Sequence, residues 1–484
     1  MSCSNVPEAQ GTAEEEVTLM PRRQKITRVD KSICQRCKVA KSLYLVRSTA
    51  YCKPCLQGFI HNRFVRQLHP ALLVNHAKKT PKSHLGFRLP PQAGNVVVGL
   101  SGGAGSMAML DLLMSNGYIG KGDGSVADKT KGERDIVWDR GYVVYVEFAG
   151  VINDMEDRME GMRAVAEERG LEFVGLRAED VFDEKLGGES LEVDLSVRDL
   201  PILERPNRAS SSSSPTPLHS LQSLLASLPP PSRPALLSNI LSTLLHCASA
   251  TLPNISHLIL GETSTRQAQR VISGTASGRG WALPLELADS YTLPSSKIVR
   301  LKPMREMSMK EVTIYCHTKR LSSFNERKWD HAGPAGKRGK GGIGSLEMLT
   351  EQFIAGLSVT HPATVSTINR TGDKLTFSGK VQSDLCPVCE MPVDESALEW
   401  KSRSGLTSLS KETEVVEPTS SSGPTLAPLL CYACLTTFTP TAMGKEVKAD
   451  RVQLPHWIRD GVRQREVGRQ KMKEEIGQYL LDND

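Results

Sequence analysis

Asn95-Val-Val-Val-Gly-Leu-Ser-Gly-Gly-Ala-Gly-Ser106 decides the fold. Its first half is a short valine-rich run, which reads as a strand buried on both faces, and its second half is a turn of small residues. Ser106 to Asn116 follows as a helix, with Met107, Leu110, Leu113 and Met114 on one face and Gly117 as its stop. Outward from this unit the alternation repeats. A second strand reads from Tyr142 to Phe148, a helix from about Asp154 to Arg169, and a third strand from Leu171 to Leu176. After an interruption the pattern resumes with an apolar helix near Ala235 to Ala250, a strand from His257 to Leu260 and a helix after Gly261. A strand from Ile298 to Leu301 then precedes a helix opened by the capping box Ser308-Met-Lys-Glu311. Strands alternating with helices give an α/β fold class, a parallel sheet with right-handed crossovers.

Around that domain, 93–330, the 484 residues divide by composition. Residues 1–29 read as a disordered lead-in and 30–92 as a basic, cysteine-containing module. Serine and proline runs at Ser210 to Ser214 and Pro229 to Pro231 mark 186–234 as a flexible low-complexity insertion. A basic loop and connecting segment, 331–383, carries Lys337-Arg-Gly-Lys-Gly-Gly342. A second cysteine module follows at 384–436, split by a disordered insertion at 402–428, and 437–484 is a tail with a helix near Gly461 to Leu481. The apolar runs stop well short of the roughly 18 residues that cross a bilayer, so no membrane association is expected. The start, Met1-Ser-Cys-Ser-Asn-Val-Pro-Glu8, lacks the basic and apolar regions of a secretory signal. A reducing, cytoplasmic setting is therefore expected, in which cysteines serve something other than disulfides.

Net charge is +6, but it is unevenly spread. From Pro21 to Pro90 sixteen Lys and Arg face the single acid Asp30, so the rest of the chain carries a net negative charge. A one-sided segment repels itself unless a polyanion lies beside it, which points to nucleic acid. Tyr44, Tyr51, Phe59 and Phe64 interleave there with Arg47, Lys53, Arg63 and Arg66. Cations and aromatics in that mixture suit an RNA backbone and its bases, although the aromatics would equally make a small core.

Eight of the eleven cysteines form four C-x-x-C pairs: Cys34/Cys37, Cys52/Cys55, Cys386/Cys389 and Cys431/Cys434. Two such pairs let four thiolates converge on one tetrahedral ion, so a structural zinc ion, Zn2+, is expected in each module, with an iron–sulfur cluster as the alternative. None of the pairs links a strand to a helix as thioredoxin-like redox motifs do. Cys3, Cys247 and Cys316 are left over, and Cys247, on an apolar helix, reads as a small core residue.

The glycine-rich turn has two readings. Gly103-Ala-Gly-Ser-Met-Ala108 fits a dinucleotide fingerprint, but that motif needs an acid about twenty residues on, and Glu147 lies about forty away. No Walker lysine is present. The better match, Ser101-Gly-Gly-x-x-Ser106, resembles the S-G-G-x-D-S pyrophosphatase (PP-)loop of adenylating enzymes that modify tRNA, whose ligand is ATP with Mg2+. Here Gly105 stands for the aspartate and Ala104 for the common lysine.

Further landmarks narrow the resemblance. These are Cys34-Gln-Arg-Cys37, Tyr51-Cys-Lys-Pro-Cys55, Leu260-Gly-Glu-Thr-Ser-Thr-Arg266, Ser277-Gly-Arg-Gly280, Leu301-Lys-Pro-Met-Arg305 and the C-terminal cysteine pairs. Together they resemble the cytoplasmic tRNA 2-thiolation protein 2 family, the partner of the catalytic thiolase in wobble-uridine modification. The resemblance implies a PP-loop-type, adenine nucleotide alpha hydrolase-like domain flanked by two zinc-ribbon-like modules. It implies a loop remnant of Ser101, Gly102, Gly103 and Ser106 with Arg279 and Gly280 near it. It also implies tRNA and a heterodimer with the catalytic thiolase subunit, which takes sulfur from a thiocarboxylated ubiquitin-like carrier protein. This chain would then be non-catalytic, because Gly105 removes the expected carboxylate and the sheet domain has only Cys247 and Cys316 where thiolases hold cluster ligands. The alternatives are an ATP-dependent tRNA-adenylating, thiolating enzyme in its own right and a Rossmann-type oxidoreductase carrying zinc ribbons.

Overall fold

Two units divide the chain, one up to Leu56 and the other from Gln57 onward. The computed structural model describes residues 31–74, 94–120, 136–152, 155–183, 190–197, 199–203, 216–293, 296–324, 345–377, 384–394, 396–404, 424–439 and 451–477. The expected lead-in 1–29, the stretch 337–342 and most of 402–428 lie outside the described residues.

In the first unit β1 (Tyr44–Val46) pairs antiparallel with β2 (Thr49–Tyr51). Arg47 and Ser48 turn the hairpin with positive φ at both positions, +48° and +67°. That twist matches the flanking strands, as in a two-residue I′-type turn. Among the described residues of this unit, only Cys34, Val46, Ala50, Tyr51, Cys52 and Leu56 are buried. So few side chains cannot hold a fold without a further staple.

The second unit is built on β3 (Asn95–Gly99), β4 (Gly141–Glu147), β5 (Glu172–Arg177), β6 (Leu191–Asp194), β7 (Ile202–Leu203), β8 (Ile255–Leu260), β9 (Ser290–Thr292), β10 (Val299–Leu301) and β11 (Arg451–Leu454). Six of them form one sheet in the order β5-β4-β3-β8-β10-β9, parallel except for β9 at the edge. The α/β class expected from the alternation is the one observed. Val96, Val97 and Val98 of the central β3 are fully buried, each worth about 1.5–3 kcal/mol of transfer free energy. Ser308 caps the helix Met309–Lys319 in the expected reciprocal box with Glu311.

The expected insertion at 186–234 is more ordered than its composition suggests. β6 and β7 join β11 in a separate sheet of order β11-β6-β7, with Leu454 opposite Leu191 and Val452 opposite Val193. The helix Pro217–Ser227 puts Leu221, Leu224 and Leu225 into the main core. Leucines at helical spacing and alternating Leu191 and Val193 outweigh the neighbouring serines, while Ser210 to Ser214 lie outside the described residues. The C-terminal cysteine segment shares that core through Val388, Met391, Leu426, Leu435 and Phe438. It therefore belongs to the body of the second unit.

Candidate functional site

The first candidate lies where the strand order turns. From β3 the sheet grows to β4 and β5 on one side and to β8 on the other, which makes the carboxyl ends of β3 and β8 the switch point where such sheets hold ligands. The glycine turn stands there at the start of the helix Ala104–Ser115. The Ser101 and Ser106 hydroxyls lie 3.1 Å apart, and the Ser106 hydroxyl accepts from the Ser101 amide and donates to the Gly103 carbonyl. Gly102 needs its φ of +73° for this turn.

Gly105 is held more tightly. A Cβ there would lie 2.4 Å from the Gly261 carbonyl oxygen, and one on Gly261 would lie 2.6 Å from the Ser106 backbone. Two glycines thus let the helix start close onto the end of β8, and no side chain, aspartate included, fits between them without backbone movement. The loop is also covered. The Phe324 amide donates to the Gly102 carbonyl, its ring packs where a Gly102 Cβ would stand, and Arg158 lies 4.2 Å over that ring. Cys316 is buried beneath, with its thiol donating to the Ala104 carbonyl at 3.5 Å.

Glu147 is buried at the end of β4, accepting from the amides of Phe148, Ala149 and Arg158 and from the Tyr145 hydroxyl. Its acceptor capacity is spent on the loop after β4, leaving no role toward a ribose. Beyond Gly261 a buried ion network forms. Glu262 meets Lys302 at 2.7 Å and Arg270 at 2.7 Å. Burial opposes ionisation of Glu262, yet Arg270 and Lys302 hold its carboxyl down to about 2, while burial brings Lys302 down to about 8 against the pull of Glu262.

The two cysteine quartets do converge. In each, the four sulfurs lie within 4.8 Å of one another, with Cys37 and Cys52 at 3.9 Å and Cys389 and Cys431 at 3.7 Å. A single tetrahedral ion with metal–sulfur bonds near 2.3 Å sets its sulfurs about 3.8 Å apart, so both quartets fit one ion. The N-terminal set hangs on backbone turns, with the Lys38 amide on the Cys34 carbonyl and the Leu56 amide on the Cys52 carbonyl. The C-terminal set is built from a bridge between Leu385 and Pro392 and from the start of the helix Tyr432–Phe438.

Arg279 is not where the resemblance put it. Instead of joining the glycine loop it faces the second quartet, lining a cavity with Gly278, Cys389, Cys431 and Tyr432 and pairing with Glu286 at 3.6 Å. Gly280 follows it in the same turn. The cause is Gly278, whose φ of +76° and missing side chain let the turn press on Tyr432, next to Cys431. Cys247 also departs from expectation: the helix Arg233–Thr251 turns Ile240 and Leu244 inward and leaves Cys247 exposed.

Of the expected RNA contacts, Arg47, Lys53 and Arg66 are exposed. Arg63 is not available: its side chain is 16% exposed, donates to the Glu306 carbonyl at 2.8 Å and meets the Glu306 and Glu311 carboxylates. Phe64 is fully buried and Tyr51 nearly so, which makes them core. Sequence reasoning missed the covering residue Phe324, the Glu262 network and Asn239 beside Cys434. The one signal available was Glu262 beside Gly261, an acid two residues past the apolar end of β8.

Along residues 345–436 the chain matches the family described as cytoplasmic tRNA 2-thiolation protein 2. It is similar to the protein of that name from Drosophila persimilis, 25% identical over 418 residues that cover 83% of this chain and 89% of the relative. The namesake from Pyrenophora tritici-repentis is 26% identical over 367 residues, 74% of this chain and 84% of its own length. Among solved structures, U34-tRNA thiolase NcsA from Methanococcus maripaludis with its 4Fe-4S cluster aligns at a TM-score of 0.45 and 15% identity, over 79% of this chain and 99% of its own. The family that the scattered sequence motifs resemble and the family found by comparison are the same one, cytoplasmic tRNA 2-thiolation protein 2.

Proposed function

We propose that this chain acts in cytoplasmic tRNA thiolation as a non-catalytic subunit, binding tRNA and supporting a catalytic PP-loop partner that 2-thiolates the wobble uridine. The family match and the relatives' names support the process. The observation that carries the non-catalytic role is the closure of Gly105 onto Gly261, which leaves no room for a carboxylate toward metal-bound phosphates at the glycine loop. Sulfur then comes from a thiocarboxylated ubiquitin-like carrier through the partner.

The chain's own residues bind and orient. Exposed Arg47, Lys53 and Arg66 supply phosphate contacts. Cys34, Cys37, Cys52 and Cys55 hold one zinc ion, and Cys386, Cys389, Cys431 and Cys434 hold another; zinc supplies tetrahedral cross-linking and no turnover. A four-iron cluster is disfavoured because each thiolate would bind a different iron, which needs sulfurs farther apart than these.

Purified chain mixed with tRNA and ATP is expected to bind tRNA and release no pyrophosphate until the catalytic partner is added. Gly105→Asp, which restores the carboxylate of the S-G-G-x-D-S loop, is expected to lower stability by about 1–3 kcal/mol and to start no turnover. Pyrophosphate release by the unmodified chain alone, or gained by that variant, overturns the reading.

A further inference from the structure

Each quartet has two buried cysteines, but the second lies within the main apolar core while the first is enclosed by its own small unit. Cys386 and Cys434 are almost fully enclosed, in the same apolar core as Leu435 and Phe438. Four thiolates around one divalent ion leave a charge of about −2, and burying that charge unbalanced is costly. Something in the surrounding protein must offset it.

The Ser277-Gly-Arg-Gly280 turn and the helix Arg233–Thr251 supply a guanidinium and an amide donor on that side of the quartet. Arg279 donates to the Asn239 side-chain oxygen at 3.2 Å. A guanidinium can only donate, so it fixes which end of the amide faces it. The Asn239 amide nitrogen is thereby turned to Cys434 Sγ, 3.9 Å away. Glu286 anchors the other edge of the guanidinium at 3.6 Å. Glu286, Arg279, Asn239 and Cys434 thus form one chain of contacts ending on a metal-ligating sulfur.

We propose that Arg279 and Asn239 are outer-sphere positioning residues of the second metal quartet, Arg279, held by Glu286, facing the quartet and orienting the Asn239 amide as a donor to Cys434. This rests on the quartet holding a metal, and not on the tRNA assignment. Outer-sphere partners of this kind typically change metal affinity by about 10–100-fold.

The test uses the full chain loaded with zinc or cobalt, with the first quartet as internal reference. The wild-type chain is expected to hold two equivalents. Asn239→Asp keeps the size and strengthens the pairing with Arg279, but turns a carboxylate toward the thiolate. A role in packing alone predicts metal retention as good as wild type. The proposal predicts that one of the two equivalents passes to a chelator about tenfold faster or more, with the sulfur-to-cobalt charge-transfer band of that site shifted. Arg279→Met is expected to do the same, and Arg279→Lys to restore part of the loss. Should Asn239→Asp release both metals at wild-type rates with an unmoved band, the proposal is overturned. A wild-type chain holding no metal in the second quartet overturns it equally, and neither result bears on tRNA binding.

Discussion

The N-terminal quartet closes a unit whose described residues carry six exposed cations, Lys31, Arg36, Lys38, Lys41, Arg47 and Lys53, and no acid. Four of its apolar side chains, Ile33, Val39, Leu43 and Leu45, face solvent. The C-terminal quartet sits among leucines and aromatics that also pack the main sheet, and Cys434 meets a buried amide that a half-buried guanidinium holds. Identical ligand sets therefore do different physical work. In the small unit a metal would stand in for a core that six buried side chains cannot form, leaving the surface open to a polyanion. In the large unit it would tie a segment ending at Cys389 to one beginning at Cys431, within a core already present.

Substituting one ligand in each quartet separates these roles and should give the largest effect. Cys434→Ser is expected to lower the stability of the entire second unit by about 3–5 kcal/mol, because a broken cross-link and an unsatisfied polar group then lie in its core. Cys52→Ser should leave that main transition in place and expose only the backbone of residues 31–56. Calorimetry combined with hydrogen exchange reads both. A main transition lowered equally by Cys52→Ser would abolish the distinction.

Acid provides a second contrast, since the described part of the small unit has no carboxylate to titrate. In the large unit Glu262 sits at about 2 against an ordinary 4.5. Its folded value is depressed, so its contribution is fully present above pH 4.5 and is lost as pH falls toward 2. Glu262→Gln should flatten that limb and cost about 3 kcal/mol near neutrality, by leaving buried Lys302 and half-buried Arg270 without their carboxylate. Lys302, at about 8 against 10.5, is depressed as well, so stability should rise again as pH climbs from about 8 to 10.5. Urea titrations across pH measure both limbs, and an unaltered acid limb in Glu262→Gln would remove the network from the account.

How much of this the residues alone disclosed differs between the same two regions. Short apolar runs located β3, β4, β5, β8 and β10, because a buried parallel strand is mostly apolar, and period-3.6 patterns located the helices between them. The cysteine pairs likewise announced themselves by spacing. What escaped was set by distant contact: β6 is a strand because β11, more than two hundred residues on, pairs with it. Arg279 belongs to the second quartet because Gly278 lets its turn rest on Tyr432, and no local pattern encodes that. The exclusion of an aspartate at Gly105 depends on Gly261 across the sheet. Motif similarity identified the loop, while only the packing explains why it is closed.

The smallest expected effect tests whether exposed basic residues do what their charge suggests. Removing one cation that neutralises a phosphate reduces the slope of log affinity against log salt by about 0.7–0.9. Arg66→Ala and Lys53→Ala, both exposed, should each lower the tRNA-binding slope by about that amount while leaving stability within about 0.5 kcal/mol. Arg63→Ala is expected to do the reverse. Its guanidinium is bound to the Glu306 carbonyl and faces Glu311, so removing it should cost about 1–2 kcal/mol of stability and leave the slope unchanged. Binding titrations from low to moderate salt distinguish the three variants. If Arg63→Ala lowers the slope as much as Arg66→Ala does, the guanidinium leaves Glu306 for phosphate, and the basic surface extends farther along the helix Lys53–Val74 than its hydrogen bonds indicate.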